Sequence, residues 1–67
     1  MNWDQVEGRW MEMKGKAREK WGKLTDNDLT TIAGKRDRLE GTIQRIYGRS
    51  KEEAKREVDD FANSFND

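Results

Sequence analysis

The spacing of the apolar residues is the feature that most restricts how this chain can fold. Near the N-terminus apolar side chains recur at steps of three or four, which places them along one face of an α-helix. The members of this face are Trp3, Val6, Trp10, Met13, Ala17, Trp21 and Leu24. Asn2 with Gln5 fits a capping box at its start, and Gly22 is a candidate for a left-handed residue at its end. The pattern predicts one amphipathic helix that ends at about Trp21.

Two more capping boxes mark helix starts later in the chain. They pair Thr25 with Asp28 and Ser50 with Glu53. Residues with helical apolar spacing follow each box. The faces are Leu29, Ile32, Leu39, Ile43 and Ile46 after the first box, and Ala54, Val58, Phe61, Ala62 and Phe65 after the second. No segment alternates with a period of two, so no strand is predicted.

Gly34 interrupts the middle face and leaves two interpretations open. The segment is either one long kinked helix or two shorter helices. We favour a break at Gly34, with the second piece running from about Lys35 to Tyr47 and ending at Gly48. The tail over 63–67 is expected to fray. The sequence therefore predicts an all-α fold, a small bundle of about four helices in a single domain over residues 1–67.

The composition leaves such a fold little margin. Only 31% of the 67 residues are hydrophobic, and a chain this short buries only about 60% of the surface that it exposes when unfolded. However, 14 basic residues balance 14 acidic ones, whereas disordered chains combine low hydrophobicity with high net charge. The three Trp also bring large apolar areas. We expect a folded domain of marginal stability.

The chain lacks the residue types on which most small catalytic or metal sites depend. It has no Cys and no His, which excludes disulfides, zinc fingers, thiol chemistry and imidazole acid–base catalysis. Asp26 and Asp28 suggest a calcium loop, but the EF-hand spacing is not met and helix capping is the simpler interpretation. So small a core leaves little room for a pocket that would shift the pKa of Asp59 or Asp60. We expect no enzymatic function, cofactor, metal site or small-molecule substrate.

Three glycines fall on the side of the helices opposite the apolar face. Gly8, Gly15 and Gly41 face solvent there, where helix packing does not require them. An interior Gly costs a helix about 0.8–1 kcal/mol relative to Ala. Neutral variation explains these glycines without a function. The alternatives are helices kept weak so that they open or order with conditions, and a partner whose backbone approaches the glycines.

The glycines also belong to a pattern of similar residues that recurs 26 positions later in the chain, which we call the internal echo. The correspondences are Gly8 with Gly34, Gly15 with Gly41, Gly22 with Gly48, Val6 with Ile32, Met13 with Leu39, Ala17 with Ile43, Trp21 with Tyr47 and Lys23 with Arg49. Two related helical units packed against each other would produce this echo. Unrelated amphipathic helices of similar length would produce it too.

Charges are distributed unevenly although they sum to zero. Counted along the chain, the net charge is +2 over 1–24, −2 over 25–34, +3 over 35–49 and −3 over 50–67. The candidate partner-binding residues are Lys14, Lys16, Arg18, Lys20, Lys23, Lys35, Arg36, Arg38, Arg45 and Arg49. They suit nucleic-acid phosphates or an acidic protein. We favour the competing interpretation, a solvated surface with helical ion pairs, because net neutrality argues against strong non-specific binding. The pairs expected are Glu12–Lys16, Glu19–Lys23 and Glu52–Arg56.

Several stretches resemble a known family. WGKLTDND at 21–28, GKRDRL at 34–39 and the Tyr47-Gly48 pair resemble the CsbD-like family of small bacterial proteins associated with general stress responses. WMEMKGK at 10–16 is similar to it as well, and the similarity spans almost the whole chain apart from the last helix. The resemblance implies two helical hairpins packed crosswise, induction under stress, and no catalytic residues.

Two functions from different classes remain. The favoured one is a non-enzymatic stress protectant similar to the hydrophilins, because the chain has six glycines and a mean hydropathy of −1.31. The alternative is a binding module that uses the basic residues above on nucleic acid or an acidic partner. No apolar run reaches the roughly 20 residues of a membrane helix, and no export signal precedes the first helix. We therefore expect no membrane insertion, and a monomer in the cytoplasm.

Overall fold

A computed structural model describes residues 1–65, which contain five α-helices and no strand. The helices are α1 (Trp3–Gly8), α2 (Trp10–Lys20), α3 (Asp26–Ile32), α4 (Arg36–Tyr47) and α5 (Lys51–Asn63). A turn at Ser64 and Phe65 follows α5, and the remainder of the predicted fraying tail, Asn66 and Asp67, lies outside the described residues. The prediction of an all-α fold is confirmed.

The N-terminal helix is interrupted at Arg9, so the prediction of one continuous helix is wrong. Arg9 has φ −113° and ψ 28°, outside the helical region, although its N–H still donates to the carbonyl of Gln5 at 3.1 Å. Gly8 precedes the break, and its low helix propensity favours an interruption there. Because the apolar spacing continues across the break, with Val6 and Trp10 both buried, periodicity alone did not reveal it.

All three predicted capping boxes are formed. The backbone N–H groups of Gln5, Asp28 and Glu53 donate to the side chains of Asn2, Thr25 and Ser50 at 3.0–3.1 Å. In each box the third helical residue accepts a bond from the backbone N–H of the cap at 3.0–3.1 Å. These bonds satisfy N–H groups that a helix start otherwise leaves without partners. The starts of α1, α3 and α5 are therefore determined locally.

The predicted break at Gly34 is confirmed and involves two left-handed residues. Ala33 has φ 51° and Gly34 has φ 80°, which separates α3 from α4. Gly34 also lies against α1, where an added Cβ would come within 3.1 Å of the Cα of Glu7. This position therefore requires glycine for both its backbone angle and its close approach.

The two other helix ends for which a terminal glycine was predicted, those of α2 and α4, differ from each other. Gly48 ends α4 with φ 66°, as predicted. Gly22 was expected to end α2 in the same way, but it is not left-handed. Instead α2 ends at Lys20, and the cap residue Trp21 has φ −120° and ψ 80°. The chain turns there without a left-handed residue because the N–H of Leu24 bonds back to the carbonyl of Trp21 at 3.0 Å.

The predicted apolar faces meet in one core. Its buried apolar members are Val6, Trp10, Met13, Ala17, Trp21, Leu24, Leu29, Ile32, Leu39, Ile43, Ala54, Val58, Phe61 and Ala62. Trp3, Ile46 and Phe65, which the spacing also assigned to these faces, are only partly buried. Helix α4 packs chiefly on α5 and α3. The radius of gyration, 10.7 Å, is close to the ~11 Å of a compact chain of this length.

The internal echo has a structural counterpart. α2 begins directly after Arg9 and α4 directly after Lys35, and these two residues are 26 apart, which is the offset of the echo. Each unit consists of a short helix, a break and a longer helix. Their ends meet, because the backbone N–H of Lys23 donates to the hydroxyl of Tyr47 at 3.1 Å.

Candidate functional site

The basic residues from Lys35 to Arg38 bind other parts of the fold. The ammonium of Lys35 pairs with Glu7 of α1 at 2.6 Å. The guanidinium of Arg38 donates to the carbonyl of Thr31 at 3.1 Å. These contacts tie the start of α4 to α1 and α3, so the two cations have intramolecular roles as well as any role toward a partner.

Arg36 is partly enclosed by the fold. Its side chain is 29% exposed, pairs with Glu40 at 2.7 Å and with Asp59 of α5, and lies over the ring of Trp3 at 5.9 Å. Burial acts to lower the pKa of this guanidinium, but the hydrogen bonds to the two carboxylates outweigh burial and hold the pKa above its usual value. Arg36 stands at the position between Ile32 and Leu39 where the helical spacing would place an apolar residue. Its contacts connect α4 with α1 and α5.

The five candidate cations from Lys14 to Lys23 form fewer ion pairs than those from Lys35 to Arg49. Only Arg18 of this group forms an ion pair, with Asp26 at 2.6 Å. Within residues 1–65 no ion pair involves Lys14, Lys16, Lys20 or Lys23. The expected pairs Glu12–Lys16, Glu19–Lys23 and Glu52–Arg56 are therefore not formed in this part of the chain. Four of the five ion pairs found there join residues eight or more apart in sequence.

Two candidate cations converge on one tyrosine. The ammonium of Lys23 lies 5.2 Å and the guanidinium of Arg49 5.6 Å from the ring centre of Tyr47. Glu57 links this group to the core, because one carboxylate oxygen accepts from Arg49 at 2.9 Å and the other from the indole N–H of Trp21 at 3.0 Å. Such cation–π contacts contribute about 0.5–1 kcal/mol at exposed sites. This cluster joins the ends of α2 and α4 to α5.

Arg45 is exposed and acts at a distance on a helix cap. The pKa of Asp28 lies below its usual value mainly because its carboxylate accepts the backbone and hydroxyl hydrogen bonds of Thr25, with a smaller contribution from the charge of Arg45. The ten candidate cations are thus divided among different neighbours. The structure brings Lys23 and Arg49 together, while Lys35, Arg36 and Arg38 contact α1, α5 and α3.

Sequence reasoning missed the hydrogen bonds of the three tryptophans. The indole N–H of Trp3 donates to the carbonyl of Gly34 at 2.8 Å, and that of Trp10 to the carbonyl of Leu29 at 2.9 Å. With the bond from Trp21 to Glu57, each indole reaches a different part of the fold. Buried indoles usually find an acceptor, so the type of contact was foreseeable, but the partners depend on tertiary structure. All three rings serve the core, as the spacing predicted.

A shallow groove of about 380 Å³ lies between α2 and the end of α5. Its lining consists of Lys16, Glu19, Lys20, Phe61, Ser64 and Phe65. Within residues 1–65 no three acidic side chains gather as metal ligands, and no buried side-chain nitrogen or oxygen lacks a hydrogen bond. Asp28 completes the capping box of α3, whereas Asp26 lies in the first turn of that helix and pairs with Arg18. No helix described here has the length and apolar character needed to cross a bilayer.

Fold and surface together define a small all-helical protein in which long-range ion pairs and indole bonds hold short helices on one core. The sequence profile of the CsbD-like family matches residues 4–56. The chain therefore belongs to the CsbD-like family, which confirms the resemblance noted in the motifs.

Curated relatives carry the family designation UPF0337. One from Protochlamydia amoebophila is 57% identical over 61 residues, covering 91% of this chain and 92% of the relative. One from Pectobacterium atrosepticum is 62% identical over 58 residues, covering 87% and 84%. The YjbJ protein of Escherichia coli K12 is 54% identical over 61 residues, covering 91% and 88%. No solved structure matches the chain significantly.

Proposed function

We propose that this protein is a stress protectant that acts through its surface and its conformational adaptability and does not catalyse a reaction. As part of the proposal, it works as a single-domain monomer in the cytoplasm. The observation that supports it most is the open space around its outward-facing glycines. A Cβ added to Gly8, Gly15 or Gly41 would have no neighbour within 4 Å.

These glycines therefore weaken the helices without any packing requirement. Each interior Gly lowers helix stability by about 0.8–1 kcal/mol relative to Ala, and domains of this size have only a few kcal/mol of stability in total. Gly15 and Gly41 are interior to α2 and α4, and Gly8 is the last residue of α1, while the chain forms three complete capping boxes. A fold with well-defined ends and weak helix interiors is suited to loosen under stress and to re-form afterwards.

The charged surface supports the same function. Charged residues make up 42% of the chain, and both signs are interspersed along it, which keeps the folded surface hydrated and free of large apolar patches. The only large hydrophobic side chain that is exposed within residues 1–65 is Met11. The folded chain therefore presents little apolar surface that could drive aggregation, as a protectant requires.

A drying and heating assay tests this proposal. A reporter enzyme is dried or heated with this protein, with albumin at equal mass, or alone, and its remaining activity is measured. We expect more activity with this protein than with albumin. Protection no better than that of albumin would contradict the proposed function.

A nucleic-acid or acidic-partner surface is the second candidate. The observation in its favour is that Lys14, Lys16, Lys20 and Lys23 form no ion pair within the described residues. Phosphate binding through such residues weakens steeply with salt. Titration with DNA and RNA across a salt series tests it, and absence of binding at low salt would remove the nucleic-acid version. A variant with these four lysines replaced by Gln provides the control.

A further inference from the structure

Met11 stands out on a surface that otherwise shows few large apolar side chains. It lies in the first turn of α2, between the buried Trp10 and the exposed Glu12, and is 82% exposed. The residue four positions later on the same helix face is Gly15, where even an added Cβ would have no neighbour within 4 Å. The thioether of Met11 is therefore open to water and to small solutes.

The fold protects the other two methionines. Met13 lies two positions further along the same helix, is only 4% exposed and belongs to the core. Met1 is partly buried and packs against the core. Helix α2 thus carries one accessible and one enclosed thioether almost side by side, so that they differ in burial and not in chemistry.

The composition leaves an oxidant that attacks sulfur few targets. The chain has three methionines and no cysteine, so no thiol competes with the thioethers. A two-electron oxidant converts methionine to its sulfoxide, and methionine sulfoxide reductases reverse the reaction. A buried thioether meets the oxidant only when the structure around it opens. Met11 is therefore the sulfur that such an oxidant reaches first.

We propose that Met11 is an oxidation site at which the folded protein consumes hypochlorous acid without losing its structure. The sulfur lone pair attacks the chlorine, and the O–Cl bond breaks and releases hydroxide. Water then displaces chloride from the sulfur and supplies the oxygen of the sulfoxide. The net products are methionine sulfoxide, chloride and one proton. Sulfur loses two electrons and chlorine gains them.

The position of Met11 explains why the fold tolerates the product. A sulfoxide is polar and disrupts apolar cores, but the side chain of Met11 lies in water before and after the reaction. The same change at Met13 would place an S–O group among buried apolar side chains. An exposed sulfoxide is also accessible to a reductase while the protein stays folded, so the site can be used again.

Oxidation with less than one equivalent of hypochlorous acid tests the site. The full chain is treated, the reaction is stopped with free methionine, and fragment spectra of the tryptic peptide over 10–14 assign the oxygen. We expect sulfoxide at Met11 to exceed that at Met13 roughly twentyfold, the ratio of their exposed fractions of 82% and 4%. In a synthetic peptide of residues 10–14, which has no core, the two should oxidise equally. Equal oxidation in the folded protein would refute the proposal.

The melting temperature tests whether the fold survives. Protein that carries sulfoxide at Met11 alone should melt at the same temperature as untreated protein, because no buried contact changes. A lower melting temperature of this species would overturn the inference that oxidation leaves the structure intact.

Two matched variants test whether the site consumes enough oxidant to protect another protein. Met11→Leu and Met13→Leu each remove one thioether and keep an apolar side chain of similar size. Papain, whose catalytic cysteine is inactivated by oxidation, is exposed to hypochlorous acid with each protein in molar excess. We expect the wild type and Met13→Leu to preserve papain activity equally and Met11→Leu to preserve less. Equal preservation by all three would show that Met11 is not the oxidant-consuming site.

This inference goes beyond the proposed protectant function and can fail separately from it. The drying and heating assay contains no added oxidant, so Met11→Leu should protect the reporter enzyme there as well as the wild type does. If the wild type protects in that assay but not against hypochlorous acid, the oxidation site is wrong and the protectant function stands. If Met11→Leu loses protection without an oxidant, Met11 acts through its apolar surface and the inference fails.

Discussion

The turn between α3 and α4 places two neighbouring residues in the left-handed region, and only one of them is a glycine. Ala33 has φ 51° and an exposed side chain. A left-handed backbone costs a non-glycine residue roughly 1–2 kcal/mol. Glycine avoids this cost, but it loses part of the gain because its unfolded chain has more conformational entropy. Ala33 therefore stores strain at the position that separates the two helices.

Replacement of Ala33 by Gly should stabilise the protein. We expect Ala33→Gly to raise the free energy of unfolding by about 0.5–1 kcal/mol, because the left-handed strain disappears and no buried contact is lost. Urea unfolding followed by tryptophan fluorescence measures the change. The matched variant Gly34→Ala should act in the opposite direction, since its Cβ would meet the backbone of Glu7 at 3.1 Å in addition to the backbone strain. If Ala33→Gly has the same free energy of unfolding as the wild type, the left-handed backbone of Ala33 is not strained.

The carboxylates of two capping boxes make stability depend on pH at the residue scale. The pKa values of Asp28 and Glu53 lie below their usual 3.8 and 4.5, mainly because each accepts the backbone N–H of its cap residue. A depressed folded pKa adds stability above the unfolded pKa, and this stability is lost as pH falls through the folded pKa. We expect unfolding to become easier below about pH 4.5, and Asp28→Asn with Glu53→Gln to flatten this dependence. Thermal melts across pH 2–7 measure it, and an unchanged acid slope in the double variant would rule out the caps as its source.

At the scale of helices, the outward glycines set the stability of α1, α2 and α4. We expect the triple variant Gly8→Ala, Gly15→Ala and Gly41→Ala to raise the free energy of unfolding by roughly 2 kcal/mol, mostly through Gly15 and Gly41, because Gly8 is the last residue of α1. In a domain of this size each kcal/mol raises the melting temperature by about 4–8 °C. Differential scanning calorimetry measures the shift. Gly48→Ala is the control and should destabilise, because Gly48 has φ 66°. If the triple variant has the same melting temperature as the wild type, the glycines do not weaken the helices.

The helices also show how far local sequence determines this fold. Caps act over three residues and apolar spacing over one or two turns, so the starts of α1, α3 and α5 and most of the core could be predicted. The break at Arg9 was missed because the apolar spacing runs through it. The internal echo could have revealed this break. Gly34 and Lys35, where a break was predicted, lie 26 positions after Gly8 and Arg9, so the echo indicates a second break there.

At the scale of the whole molecule, the candidate surface could be predicted far less well. The types and positions of the cations were visible in the sequence, but their partners were not. Lys35 pairs with a residue 28 positions away and Arg36 with one 23 positions away. Such pairs depend on which helices meet, which neither helical spacing nor charge counts can determine. Pairs within one helix, which could be listed from the sequence, were mostly not those that formed.

Charges that join different helices lead to a prediction for the molecule as a whole. Glu7 and Lys35 connect α1 to the start of α4 with side chains that are 36% and 53% exposed. An exposed pair of this kind contributes about 0.2–1 kcal/mol. We expect Glu7→Lys and Lys35→Glu each to destabilise the fold, because either change opposes like charges. The double variant should recover most of the loss, and the coupling free energy should lie near 0.5 kcal/mol at low salt.

Salt separates this electrostatic coupling from packing. The screening length falls from about 30 Å at 0.01 M to about 3 Å at 1 M salt, so the coupling free energy should fall by more than half between these conditions. Urea unfolding of all four proteins at both salt concentrations measures it. Arg18 and Asp26, whose side chains are 54% and 88% exposed, provide a second cycle in which we expect weaker coupling because water screens the pair more. If the coupling free energy does not change with salt, Glu7 and Lys35 hold α1 through packing of their alkyl chains. The stability of the whole fold would then depend less on ion pairs than the charged composition indicates.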